Sequence, residues 1–72
     1  MALIKIVVYT EDNKVEKDMV ISDDNLFNTL YEITSEYNNE ITMFAGYDAN
    51  KDMRCIELRI IGTPFRMDEL GD

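Results

Sequence analysis

Apolar and polar positions alternate along most of this chain, interrupted once by a stretch of helical period. Leu3 to Thr10 (LIKIVVYT) is rich in β-branched residues and reads as a strand. Lys14 to Ile21 (KVEKDMVI) alternates in the same way after the polar break Glu11-Asp12-Asn13. A two-residue loop at Asp12-Asn13 sets Thr10 against Val15, Val8 against Lys17, Ile6 against Met19 and Ile4 against Ile21. That register gathers Ile4, Ile6, Val8, Val15, Met19 and Ile21 on one face. It leaves Lys5, Val7, Tyr9, Glu16, Asp18 and Val20 on the other.

The period then becomes helical. Leu26, Leu30, Ile33 and Tyr37 recur at helix spacing, a stripe widened by Phe27 and Thr34. Ser22 is a suitable N-cap, Ile21 and Leu26 have the spacing of a hydrophobic staple, and Asp23 and Asp24 suit the positive end of a helix dipole. The expected helix covers about 23–37 and stops at Asn38-Asn39, since asparagine tolerates the left-handed conformation of helix ends.

Alternation resumes at about 40–47, with Ile41, Met43 and Ala45 inward, and at 53–61, with Ile56, Leu58 and Ile60 inward. Thr63-Pro64 suits the start of a short helical turn over 64–70, stopped by Gly71. The expected strands are thus 3–10, 14–21, 40–47 and 53–61. The fold class is α+β: a single β-β-α-β-β domain over 1–72, its four-stranded, mostly antiparallel sheet carrying one helix on one face. One helix covers one face only. The open face carries Leu3, Val7, Tyr9, Val20, Phe44 and Ile61 among its charges.

Composition narrows the function. At 72 residues the core is small, burying roughly 60% of the unfolded surface, so oligomerisation is one route to stability. A hydrophobic fraction of 46% argues against disorder. Fifteen acids against seven bases give a net charge of −8, which disfavours direct contact with nucleic acid or an anionic membrane and favours a basic partner. Leu3 to Val8 carries Lys5 and no small-residue cleavage site, so it does not read as a leader peptide, and no apolar run approaches the ~20 residues of a membrane span. A cytoplasmic protein is expected.

Catalytic equipment is sparse. Cys55 is the one cysteine, and the chain has no histidine to activate it or Ser22 and Ser35. Asp48-Ala-Asn50-Lys-Asp52 begins like a calcium loop. Met53 then stands where the sharp turn needs glycine, and Arg59 where a bidentate glutamate belongs. Asp, Asn and Lys are ordinary turn residues, so no metal site is expected. The three glycines are scattered and form no phosphate-binding loop. No cofactor is implied, and the expectation is a protein without enzymatic activity.

Charge distribution is the most informative feature. No Lys or Arg occurs between Lys17 and Lys51, a stretch holding the seven acids Asp18, Asp23, Asp24, Glu32, Glu36, Glu40 and Asp48. Asp24, Asn28, Glu32 and Glu36 step four residues at a time along the helix, ~6 Å per step. Duplex DNA offers a comparable ridge, one charge every ~3.4 Å along each strand.

Asp23, Asp24, Glu32, Glu36 and Glu40, with Tyr31 as an aromatic anchor, are therefore the expected partner-binding residues. The partner is a basic nucleic-acid-binding protein or nuclease, whose groove the ridge occupies. In size, charge and lack of catalytic residues the chain resembles the small acidic inhibitors that phages and mobile elements direct against host defences, the anti-CRISPR and anti-restriction factors. For a phage-encoded protein of that type the host cytoplasm is the implied location. The alternative is a homodimeric interaction module that associates through its open sheet face or an edge strand, using Val7, Tyr9, Phe44 and Ile61.

Overall fold

The computed structural model describes residues 2–67. Its elements are β1 (Leu3–Thr10), β2 (Val15–Ser22), a 3-10 turn (Asp23–Asn25), α1 (Leu26–Glu36), β3 (Ile41–Asp48) and β4 (Met53–Ile60). The fold is α+β, as the alternation implies, and the strand ends fall within one residue of expectation. The sheet order is β2-β1-β4-β3. Both hairpins are antiparallel, but the two central strands, β1 and β4, run parallel, so the sheet is mixed. The helix carries the chain from one sheet edge to the other, which is what allows the first and last strands to meet at the centre.

The first hairpin keeps the expected register from Leu3 to Val8, but by another route. Its loop has three residues, Glu11 to Asn13: Asn13 N–H donates to the Thr10 carbonyl at 3.0 Å, and Asn13 takes a left-handed φ of 68°. Tyr9 therefore faces Val15. The register shifts between Val8 and Tyr9, where Glu16 is the extra residue of a β-bulge, and Val8 faces Lys17 as expected.

The bulge corrects two facial assignments. Val15 stands opposite Tyr9, away from the helix, and is 51% exposed rather than inward. Glu16 turns to the helix side, where its carboxylate accepts a 3.4 Å bond from the Tyr37 hydroxyl.

Ile6, Val8, Ile33, Tyr37, Leu58 and Ile60 form the buried core, with Ile4, Met19, Ile21, Leu26, Leu30, Ile41 and Ile56 packed around it. Most of these sheet residues lie on β1 and β4, under the helix. The helix does not extend over β3, so Met43 (61% exposed) and Ala45 point to the helix side without being buried.

Ser22 caps the helix entry as expected, its hydroxyl accepting from Asp24 N–H at 3.3 Å, although the first turn is 3-10 rather than α. The exit differs from expectation. Tyr37 is extended (φ −118°, ψ 145°) and pairs as an isolated antiparallel bridge with Arg66, while Asn38 N–H donates to the Phe65 carbonyl at 2.7 Å. Among the described residues only Asn13 and Asp52 are non-glycine residues with positive φ, so Asn38 and Asn39 do not end the helix by a left-handed turn. Asn39 instead clamps the segment after β4. Its amide donates to the Ile61 and Thr63 carbonyls at 3.0 and 2.9 Å, and its side-chain oxygen accepts from Phe65 N–H at 2.8 Å. The chain from Pro64 to Arg66 thus lies against the helix exit rather than forming the start of the expected turn. Residues 68–70 of that turn, and Gly71, lie outside the described residues.

Candidate functional site

The helix sorts its side chains by flank. Glu36 salt-bridges Lys17 of β2 at 3.0 Å, which marks the flank facing that edge. At 3.6 residues per turn, Phe27, Tyr31 and Thr34 lie on the opposite flank, toward β3. Among the described residues nothing covers them there: Phe27 is 86% exposed and Tyr31 74%. Phe27 is therefore not part of the core stripe. The buried stripe is narrow, centred on Ile33 and Tyr37, because the sheet beneath it is widest in apolar cover at β1 and β4.

The expected acidic ridge divides in two. Asp23, Asp24 and Glu32 are exposed, and Glu40 is exposed beyond the helix end. Glu36 is half-buried and holds two cations, Lys17 at 3.0 Å and Arg66 at 3.2 Å. It is a structural hub joining β2, α1 and the segment after β4, and it does not offer a free charge to a partner. The outer helix surface is thus Asp23, Asp24, Phe27, Tyr31 and Glu32. Tyr31 was expected at the surface, but Phe27, one helical turn away, was hidden in sequence because it fits the periodicity of a core residue.

The sheet face away from the helix is less open than its composition suggests. Facing residues run in rows across the strands: Asp18, Val7, Glu57, Phe44; then Val20, Lys5, Cys55, Gly46; then Val15, Tyr9, Arg59, Thr42. Leu3, Val15 and Val20 are exposed on it, while other apolar positions are enclosed. Val7 is only 3% exposed, which removes it from the expected self-association surface. Tyr9 is half-buried, with the Arg59 guanidinium 5.4 Å from its ring centroid. Ile61 is half-buried and lies past the end of β4, its N–H bonded to the Glu40 carbonyl. Phe44 remains 68% exposed.

Lys5 spans β4 to reach Asp48 at 3.3 Å. This hydrogen bond raises the Lys5 pKa above its usual value. Burial pushes the Asp48 carboxyl upward, but Lys5 and the amides of Lys51 and Asn50 outweigh it, and the net shift is down. Asp48 Oδ1 accepts from those amides at 3.3 and 3.0 Å, so the carboxylate that begins the calcium-like motif is used by its own turn and by Lys5.

A shallow groove of about 450 Å³ runs along this face between Lys5, Tyr9, Phe44, Asp48, Cys55 and Glu57. Burial, then the Glu57 charge, pushes the Cys55 thiol above its normal pKa, the wrong direction for a nucleophile. Among the described residues no group of three or more His, Cys, Asp or Glu is placed to hold a metal, and no helix is long and apolar enough to cross a membrane.

No protein-family model, curated protein or solved structure matches this chain.

Proposed function

We propose that this chain is a non-enzymatic acidic binding protein that occupies the basic nucleic-acid groove of a DNA- or RNA-binding protein, as an anti-defence inhibitor of the anti-CRISPR or anti-restriction kind does. The observation that carries this reading is the outer helix surface. Asp23, Asp24 and Glu32 are exposed on this helix, as are Phe27 and Tyr31, in a stretch with no base from Asp18 to Asn50. Aromatic side chains supply the contact area of most binding hot spots, and same-sign charges around them steer an oppositely charged partner. Glu36, tied to Lys17 and Arg66, supports this surface rather than joining it.

The test is capture of candidate nucleases and nucleic-acid-binding proteins on the tagged chain, with and without duplex DNA and at low and high salt. A basic partner displaced by DNA, and lost by the Asp24→Lys/Glu32→Lys double variant, supports the reading. A partner that DNA does not displace, or one that binds the folded double variant equally well, overturns it.

A further inference from the structure

The two edges of the sheet are built differently. β2 is guarded: it carries the bulge at Glu16 and three consecutive charges, Glu16, Lys17 and Asp18. Bulges and edge charges are the devices that stop one sheet adding to another. β3 has none of them. From Ile41 to Tyr47 (ITMFAGY) it has no charge and no proline, and its register against β4 runs without a shift.

Among the described residues no strand pairs with the outer edge of β3, and its backbone offers a row there. Ile61 N–H donates to the Glu40 carbonyl, so Glu40 directs its polar groups toward β4. Antiparallel pairing alternates, which turns Thr42, Phe44, Gly46 and Asp48 toward β4 and Ile41, Met43, Ala45 and Tyr47 outward. Side chains flank this row on both sides. Met43 and Tyr47 are 61% and 59% exposed on the helix side, and Phe44 is 68% exposed on the other.

We propose that a second copy of this chain adds to the β3 edge, antiparallel about a two-fold axis at Ala45, joining two four-stranded sheets into one of eight. The register follows from charge. Side chains that face each other across an antiparallel pair share a face, so the axis passes through a residue and not between two. An axis at Phe44 sets Glu40 opposite Asp48 twice, a like-charge clash. An axis at Met43 shortens the overlap to Ile41–Ala45. At Ala45 the pairs are Thr42 with Asp48, Met43 with Tyr47, and Phe44 with Gly46, with no like charges opposed and outward-facing backbone groups meeting their own kind.

A second copy suits the chemistry better than a charged partner. The strand is neutral along its length, and a two-fold partner matches it with an equally neutral strand, while the acids of the helix and the β2 edge stay clear of the seam. The proposal does not depend on the helix surface, and its test leaves that surface unaltered.

Sedimentation of the full chain over a concentration series should give a mass approaching twice 8.4 kDa. Met43→Lys places a charge on the seam twice per dimer and should weaken association by about tenfold or more. Ala45→Pro removes an outward N–H that has no partner among the described residues, so it should yield a monomer with unchanged circular dichroism. Val20→Lys, on β2, should leave the dimer intact. A wild-type chain that stays monomeric, an Ala45→Pro chain that unfolds, or a dimer that Val20→Lys breaks and Met43→Lys does not, each overturns the proposal.

Discussion

The Glu36 carboxylate is held 3.0 Å from the Lys17 ammonium, bridging the helix to the edge strand β2. Arg66 reaches the same carboxylate from the other side, at 3.2 Å. Two acids one helical turn apart thus have different tasks. Glu36→Lys replaces two attractions with two repulsions and should lower stability by about 1–2 kcal/mol, read as a shifted urea midpoint. Glu32→Lys, on the exposed side, should change stability by less than about 0.5 kcal/mol while reducing capture of a basic partner. Equal stability of the two variants would remove the distinction.

Asn39 is the clamp at the far end of the helix. Asn39→Ala loses two donated bonds and one accepted bond to the backbone of residues 61–65, and should cost about 1–3 kcal/mol. Asn39→Asp keeps the acceptor for Phe65 N–H but sets a carboxylate against two carbonyls, so it should be at least as destabilising. Gly62 lies between those carbonyls at φ +86°, and among the described residues an added Cβ there meets only Asn39 Nδ2, at 3.8 Å. The cost of Gly62→Ala is therefore one of backbone conformation, about 1–2 kcal/mol.

Stability should fall at both ends of the pH range. A hydrogen bond from Thr10 holds the Asp12 pKa below its usual 3.8, and Asp48 is also lowered. The unfolded chain binds more protons at these sites. Their stabilisation is present above pH 3.8 and is lost as pH falls through the depressed folded values. At the other end, the Asp48 hydrogen bond raises Lys5 above 10.5, and its stabilisation, present below that value, is lost as pH rises through the folded pKa. Burial and Glu16 raise Tyr37 above 10.0, and the folded chain resists its ionisation, which adds to the alkaline loss. Urea midpoints should therefore be flat between these limits, and Asp48→Asn should flatten part of both limbs.

Cys55 should alkylate more slowly in the folded chain than in urea at mildly alkaline pH, because burial and Glu57 keep its thiol protonated. Equal rates in the two states would mean that the groove leaves the sulfur open to reagent.

Period carried most of the fold, while turn chemistry misled at Asp12-Asn13 and at Asn38-Asn39. Strand ends, the Ser22 cap and the inward rows Ile4-Ile6-Val8 and Ile56-Leu58-Ile60 follow from short-range pattern alone. What was not legible depends on strand order. Alternation says which residues share a face but not whether the helix lies over them, so Met43 and Ala45 read as inward although β3 lies beyond the helix. Phe27 failed for the same reason: its spacing fits a core position, yet its flank overhangs an uncovered strand. Val7 failed the opposite way: it lies on the face away from the helix, between Asp18 and Glu57 of the neighbouring strands, yet is only 3% exposed. Glu36 read as one more acid because its cations, Lys17 and Arg66, are distant in sequence.

The hairpin register carries the sharpest test of this local logic. A three-residue loop and a one-residue bulge displace the pairing in opposite senses, so their sum matches a two-residue loop without a bulge. Deleting Glu16 should therefore remove the bulge and leave every other pair in place. Tyr9 would still face Val15, Val8 would still face Lys17, and Lys17 would remain on the helix side, since alternation from Val15 to its new neighbour Lys17 is regular. The variant loses the Tyr37–Glu16 bond, worth about 1 kcal/mol at most for a 3.4 Å contact, and should fold. Cross-strand amide contacts between Leu3–Val8 and Lys17–Ser22 in NMR spectra should be unchanged. It also loses a guard on the β2 edge, so self-association insensitive to Met43→Lys should appear in this variant. A slipped register, with Val8 facing Asp18, would show that the Glu11–Asn13 loop does not set the pairing.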